Sequence, residues 1–233
     1  MRVAVLADIH ANLPALDAVL AEAEPLRPDR YVLLGDIAGG PMPAETLDRL
    51  AALGDRAVWV HGNGERELVA ASDAGTGGLS RRHRDLLAGL PLTVTLDVDG
   101  LGPVLFCHAT PRRDDEVVLV DSPPARWAAA LAGVTAPTVV CGHTHMPFDR
   151  LAAGRRVVNP GSVGMAYGPP GAYWALLGPV VELRRTAYDA AAAAARIAAA
   201  GARAWADEYV LHPHDDAEAL AAFTAIAARD TGH

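Results

Sequence analysis

The chain has 233 residues, 51% of them hydrophobic and 21% charged, with a net charge of −8. That length and balance suit one large α/β unit with a substantial core, and no basic run tracks a nucleic-acid backbone, so stable nucleic-acid binding is not expected. Lysine is absent and all 20 basic residues are arginine, which excludes a Walker A phosphate loop and Schiff-base chemistry, because both need the amine.

Taken in order, Arg2 to Ala7 is a β-rich run that ends in Asp8-Ile9-His10. It is too short for a signal-peptide core, and no stretch reaches the ~18 apolar residues of a membrane helix. The cysteines, Cys107 and Cys141, each lie inside an apolar run, which fits a reducing compartment rather than a disulfide framework. The expectation is a cytoplasmic protein without a membrane partner.

Asn12 is placed to cap a helix with Pro14 in its first turn and Leu13, Leu16 and Leu20 at helical spacing. Tyr31 to Leu34 forms a second buried strand ending in Gly35-Asp36, and a helix runs through Leu47, Leu50 and Leu53. A third strand, Ala57 to Val60, ends in His61-Gly62-Asn63-Gly64-Glu65. A short helix is expected from Arg66, then a glycine-rich loop from Gly75 to Gly78, then a helix capped by Ser80. Strands at Leu92 to Val98 and Val104 to Cys107 follow, the second ending in His108. Pro123-Pro124 opens a helix through Trp127, and the apolar run Thr138 to Cys141 leads into Gly142-His143-Thr144-His145.

Four more strands are expected around Phe148 to Leu151, Arg155 to Val158, Tyr173 to Leu177 and Val180 to Arg185. From Tyr188 the chain is alanine-rich and helical, broken at Gly201 and at His212-Pro213-His214. With no repeat and no linker, residues 1–233 read as one domain, with a core of about residues 1–186 and a helical region of about 187–233 that covers the sheet or a subunit interface.

The predicted strands end in residues that bind metals: Asp8 and His10, Asp36, Asn63, His108, then His143 and His145. Loops at the carboxyl ends of strands are where α/β sheets place their sites. In extended backbone, positions i and i+2 point the same way, so both imidazoles of the His-x-His pair are expected to face one spot. Two carboxylates, four imidazoles and one carboxamide suffice for two divalent ions that share a carboxylate. Mixed oxygen and nitrogen donors suit manganese, iron or zinc without choosing among them; manganese is the ion expected to serve in vitro. Two such ions lower the pKa of a bridging water and clamp phosphoryl oxygens for in-line attack, so no protein nucleophile is required.

These motifs in this order resemble the calcineurin-like metallophosphoesterase superfamily: Asp8-Ile9-His10, Gly35-Asp36, Gly62-Asn63, His108 and Gly142-His143-Thr144-His145. The resemblance extends through Asn159-Pro160-Gly161-Ser162-Val163-Gly164 to the small prokaryotic branch related to YfcE-type phosphodiesterases, and covers roughly Arg2 to Arg185. It implies a four-layer α/β sandwich, with helices outside two mixed β-sheets. It also implies Asp8, His10, Asp36 and His145 around one ion and Asp36, Asn63, His108 and His143 around the other. Many family members carry a histidine after the Gly-Asn pair to protonate the leaving oxygen, but this chain has Gly64, followed by Glu65. General-acid catalysis is typically worth ~10² to 10⁴-fold, so its loss favours activated esters or pyrophosphate bonds. Glu65 and His61 are the weak candidates to replace it.

Asn12, Asn63, Arg66 and Arg112 are candidate phosphate contacts, although Arg112 and Arg113 also have Asp114, Asp115 and Glu116 beside them. The expected function is hydrolysis of phosphodiesters or nucleotide polyphosphates. The expected substrate is a small phosphorylated molecule, a nucleotide among the candidates, and a homo-oligomer is compatible. A phosphomonoesterase or protein phosphatase of the same fold is the first alternative, and a non-catalytic metal-binding scaffold the second.

Overall fold

Alternation along the first strands sets the layering. Val3, Val5 and Ala7 share a buried cluster with Val104, Phe106 and Val140, whereas Ala4 and Leu6 join a different cluster with Leu16, Val19 and Leu47. A strand apolar on both faces is buried on both, by a second sheet on one side and helices on the other. The computed structural model describes residues 1–71 and 78–229, so Gly75 to Gly77 of the expected glycine-rich loop lie outside the described residues.

The strands are β1 (Val3–Leu6), β2 (Arg30–Leu34), β3 (Ala57–Val60), β4 (Thr93–Val98), β5 (Gly102–Cys107), β6 (Thr138–Val140), β7 (Phe148–Ala152), β8 (Arg155–Asn159), β9 (Ala172–Leu177) and β10 (Val181–Thr186). The helices are α1 (Leu13–Ala23), α2 (Pro43–Ala51), α3 (Asn63–Ala70), α4 (Arg81–Ala88), α5 (Pro124–Ala130), α6 (Ala190–Ala199), α7 (Arg203–Ala206) and α8 (Asp216–Arg229). One sheet runs β10-β9-β1-β2-β3 and the other β4-β5-β6-β8-β7. In the first, β1, β2 and β3 are parallel and β9 and β10 antiparallel; in the second, β5, β6 and β8 are parallel, with β4 and β7 antiparallel at the edges.

Both sheets are therefore mixed. α1, α2 and α6 cover the outer face of the first through Leu16, Leu20, Leu47, Leu50 and Ile197, and α5 covers the second through Trp127, whose ring meets Phe148 edge-on at 6.1 Å. The arrangement is the expected helix–sheet–sheet–helix sandwich.

Local signals hold where they were strongest. The Asn12 side chain accepts the Ala15 N–H at 3.2 Å to cap α1, and Ser80 does the same for His83 at the start of α4. α3 begins at Asn63, earlier than the Arg66 start that pattern alone predicts, because the Glu65 side chain reaches back to the Gly62 N–H and nucleates the first turn. The alanine-rich tail splits in two. Ala193, Ala194 and Ile197 of α6 join the core on the first sheet. α8 instead leans on loop residues Val117, Leu119 and Met146, reached through a π-helical turn at Asp207–Leu211. No helix among the described residues is long and apolar enough to cross a membrane.

Candidate metal centre

Parallel order brings the motifs together. The loops after β1, β2 and β3 leave one end of their sheet, and main-chain bonds zip the first two: Asp8 N–H to Gly35 O at 3.2 Å, His10 N–H to Asp36 O at 2.8 Å and Ala11 N–H to Ile37 O at 2.9 Å. The loops after β5, β6 and β8 meet them from the other sheet. Gly142 N–H bonds His108 O at 2.6 Å and Gly164 N–H bonds Asp8 O at 3.0 Å. Two motif glycines permit this closeness: a Cβ at Gly62 would sit on the Asp36 carboxylate, and one at Gly142 would lie 2.7 Å from Asp8 Oδ2.

Two groups of metal-type donors result, Asp8 with His10 and His145, and Asp36 with His108 and His143, the donor atoms of each group within 4.8 Å of one another. In the first, His145 Nε2 stands 3.1 Å from His10 Nε2 and 3.3 Å from Asp8 Oδ1. In the second, His108 Nε2 is 3.5 Å from Asp36 Oδ1 and 3.3 Å from Asn63 Oδ1. Asp36 faces both groups, since its Oδ2 is 3.9 Å from His10 Nε2.

The His-x-His pair does not work as extended backbone. β6 ends at Val140, and His143 and His145 have φ of 65° and 59°. The turn sends the two rings to different groups, where alternation along a strand sends them to one. Asp8, His10 and Asp36 also have positive φ, making five of the eight such non-glycine residues among the described residues. Backbone of this kind is held at a cost of order 1–3 kcal/mol per residue and concentrates at functional sites.

The donor set fits divalent ions. Nδ1 of His10, His108 and His145 lies 3.1, 2.8 and 2.8 Å from the carbonyls of Gly39, Leu34 and Met165. Those bonds assign the proton to Nδ1 and leave each Nε2 lone pair turned inward, as metal-binding histidines require. With both imidazoles neutral, the Nε2 lone pairs of His10 and His145 then face each other at 3.1 Å, a repulsion that a cation removes.

The electrostatics are those of acids and bases held close. Burial alone raises the Asp8 carboxyl, but His145 and His108 overcome it and hold the group below its usual range. Asp36 behaves likewise: burial opposes, His108 and His10 prevail, and its pKa falls to about 2. Burial and the neighbouring His108 push His143 down to about 4, and burial with His145 lowers His10. His108 goes up, because Asp36 and Asp8 outweigh its burial.

A model of the calcineurin-like phosphoesterase superfamily domain matches residues 1–178. The chain belongs to that superfamily. An uncharacterised protein of Methanocaldococcus jannaschii is 26% identical over 197 residues, covering 70% of this chain and 76% of its own. The crystal structure of a metallophosphoesterase from Sphaerobacter thermophilus superposes with a TM-score of 0.75 at 27% identity, over 91% of this chain and 99% of that one. YfcE, a phosphoesterase from E. coli, shares the fold with a TM-score of 0.50 at 21% identity, over 76% and 87% of the two chains.

The remaining predicted residues of this superfamily member have other partners. Asn12 is fully buried, its amide donating to Gly164 O at 2.9 Å, and is not open to a phosphate. Arg66 makes a two-bond pair with Asp114, at 2.8 and 3.2 Å, and reaches Asp115 at 3.2 Å. Arg112 is paired with Glu116 and donates to Ala129 O at 3.1 Å. His61 Nδ1 lies 3.5 Å from Asp114 Oδ2, and with Arg66 it lines a cavity of about 220 Å³ with Val69 and Leu87. Glu65 is buried and accepts N–H groups from Gly62, Asp36, Ile37 and Ala38, so both its oxygens are engaged by main chain. Burial and Asp36 push its pKa up to about 7 against those bonds.

Ser162 supports the site from behind. Its hydroxyl donates to Asp8 O at 2.7 Å and accepts the Met165 N–H at 2.8 Å, which fixes the carbonyl that orients His145. The Asn159-Pro160-Gly161-Ser162 motif was the available signal. No local pattern marked Tyr167, whose ring stacks on His145 at 5.3 Å and 20°, or Phe223 beside it.

Proposed function

We propose that this chain is a metal-dependent phosphoesterase that hydrolyses phosphodiester or nucleotide polyphosphate bonds. In this reading Asp8, His10, Asp36 and His145 hold one divalent ion, and Asp36, Asn63, His108 and His143 the other, with manganese the ion of choice in vitro. The observation that carries it is Asp36, whose two carboxylate oxygens each face a different donor group, at 3.5 Å from His108 Nε2 and 3.9 Å from His10 Nε2. When bound there, such ions supply Lewis acidity toward water and toward phosphoryl oxygens.

The protein's own part is orientation. The three carbonyl-anchored imidazoles keep their Nε2 atoms inward, and the Gly64 N–H, 2.7 Å from Asp36 Oδ1, fixes the shared carboxylate. The Asn63 amide, beside His108, has N–H donors to offer a phosphoryl oxygen. No imidazole stands at residue 64, and a Cβ there would lie 2.9 Å from Asp36 Oδ1. In this reading no side chain at residue 64 protonates the leaving oxygen, which favours aryl esters and pyrophosphate linkages that depart as stable anions. We read the chain as a single cytoplasmic domain acting on a small phosphorylated substrate, a nucleotide among the candidates.

The test is a panel of esters assayed with metal-stripped and manganese-loaded protein, with elemental analysis alongside. Two ions per chain and faster turnover of bis(p-nitrophenyl) phosphate than of p-nitrophenyl phosphate are expected. Preference for the monoester points to a phosphomonoesterase. Loaded protein that hydrolyses no ester is a scaffold, and protein that takes up no metal overturns the reading.

A further inference from the structure

Five of the seven metal-type donors lie under cover, and His143 and Asn63 are half-buried. Side-chain exposure is zero for Asp8 and His108, 6% for His145, 7% for Asp36 and 14% for His10. Part of that cover comes from α8, beyond the 1–178 stretch that the superfamily model matches. The Phe223 ring stands 6.3 Å from the His143 ring and 6.5 Å from the His145 ring, so one side chain spans both donor groups. Tyr167 completes the cover, stacked on His145 and edge-on to Phe223 at 6.2 Å.

The helix that carries Phe223 is lightly held. Of its 14 residues, Ala219 and Ala227 are buried and Leu220 and Phe223 are packed partly buried beside them, a small apolar footing for a helix of that length. Its apolar contacts are with Val117, Leu119 and Met146 in loops, not with a sheet. Tethers sit at its two ends: Gly168 N–H to His214 O at 2.9 Å before it, and Arg126 Nη1 to Ala227 O at 3.1 Å near its end. A helix fixed at its ends and thinly packed between them can shift at modest cost.

We infer that Phe223 sets the size of phosphoester that reaches the metal centre: small esters fit beneath it, and bulky ones require α8 to move. The inference rests on the phosphoesterase reading above. It assigns the C-terminal helix a role in selectivity, with Phe223 acting as a steric gate and Tyr167 as its backstop.

Two p-nitrophenyl diesters of equal leaving group test it, methyl p-nitrophenyl phosphate and thymidine 5′-(p-nitrophenyl phosphate). In both, water oxygen bonds to phosphorus, the P–O bond to p-nitrophenol breaks with its electron pair, p-nitrophenolate departs and the water proton passes to solvent. The size of the retained ester is the variable. Phe223→Ala in the manganese-loaded full chain should raise kcat/KM for the thymidine ester relative to the methyl ester by about tenfold, the scale at which filling or emptying apolar space discriminates substrates. Phe223→Leu, which keeps an apolar contact, should move the ratio the same way by less and serves if the alanine variant does not fold. Ile226→Ala, on a residue of the same helix that is 46% exposed, should match the parent.

Chelator stripping gives a readout independent of turnover. Excess EDTA should remove manganese, followed by its EPR signal, several-fold faster from the Phe223 variants than from the parent or Ile226→Ala. An unchanged ester ratio in both Phe223 variants, or equal changes for the two esters, overturns the gate. If the loaded parent hydrolyses neither ester, the phosphoesterase reading fails, and the stripping rate alone decides: equal rates overturn the gate.

Discussion

Glu65 Oε2 accepts the Asp36 N–H at 2.8 Å, and the same oxygen accepts the Gly62 N–H at 2.9 Å. One buried carboxylate thus ties the loop after β2 to the loop after β3, with Oε1 adding Ile37 at 2.7 Å and Ala38 at 3.2 Å. Asp36 can face both donor groups because its main chain is held from behind.

Glu65→Ala leaves four N–H groups without this acceptor, and a buried unsatisfied group costs about 1–3 kcal/mol before water enters. The expected result is a clear drop in melting temperature together with manganese affinity weakened by about 10–100-fold, the usual scale for residues that support metal ligands. Thermal unfolding and titration calorimetry measure the two. Glu65→Gln should fall between, since its amide nitrogen cannot accept. Unchanged manganese affinity in both variants would refute the clamp.

Asn159 does a similar job across the second sheet. Its amide donates to Gly142 O at 2.8 Å and to Thr144 Oγ1 at 3.1 Å, while its oxygen accepts the Gly161 N–H at 2.8 Å. These bonds hold the turn in which His143 and His145 keep their positive φ. Asn159→Ala should therefore weaken metal uptake by about 10–100-fold, read as the manganese concentration needed for half-occupancy. Wild-type affinity in that variant would show that the turn holds itself.

Alkaline stability should depend on Tyr31. Burial and a 2.9 Å hydrogen bond to Glu24 push its pKa up to about 12 from an ordinary 10.0. An acid raised on folding binds its proton more tightly in the folded state, so its contribution is complete below pH 10 and is lost as pH rises toward 12. Denaturant unfolding between pH 9 and 12 should show a steeper loss for the parent than for Tyr31→Phe. Parallel curves would count against it.

The thiols should be inert while the protein is folded. Cys107 and Cys141 are buried, and burial drives both thiols upward, Cys141 to about 12. The thiolate is the reactive form, so iodoacetamide at pH 8 should label neither until denaturant is added. Labelling of the native chain, read by mass spectrometry, would mean that the strand ends beside His108 and His143 open.

Much of this was open to a reader of the sequence. The unbroken apolar run from Val3 to Ala7 marked a strand, and Asn12 and Ser80 marked helix starts. The seven donor-type residues could be named because each follows an apolar run that ends abruptly in Asp, Asn or His. Less legible was what each neighbour does. Arg112 sits four residues before Glu116, and ion pairing claims it; Arg66 is claimed by Asp114, 48 positions away, which no local pattern announced. Asn12 had two readings, and complete burial leaves it the cap.

By itself, the sequence determined which segments are strands, where they end and which chemical groups stand at those ends, because continuous apolar runs and the polar residues that stop them are short-range properties of the chain. Tertiary structure alone decided that His143 and His145 part company, that Asp36 lies between the two groups, that distant carbonyls at Gly39, Leu34 and Met165 orient the imidazoles, and that Phe223 covers them. Those relations join residues far apart in the chain, His10 and His145 by 135 positions. They are fixed by how two sheets pack face to face and bring their strand-end loops together, a geometry no local pattern of side chains carries.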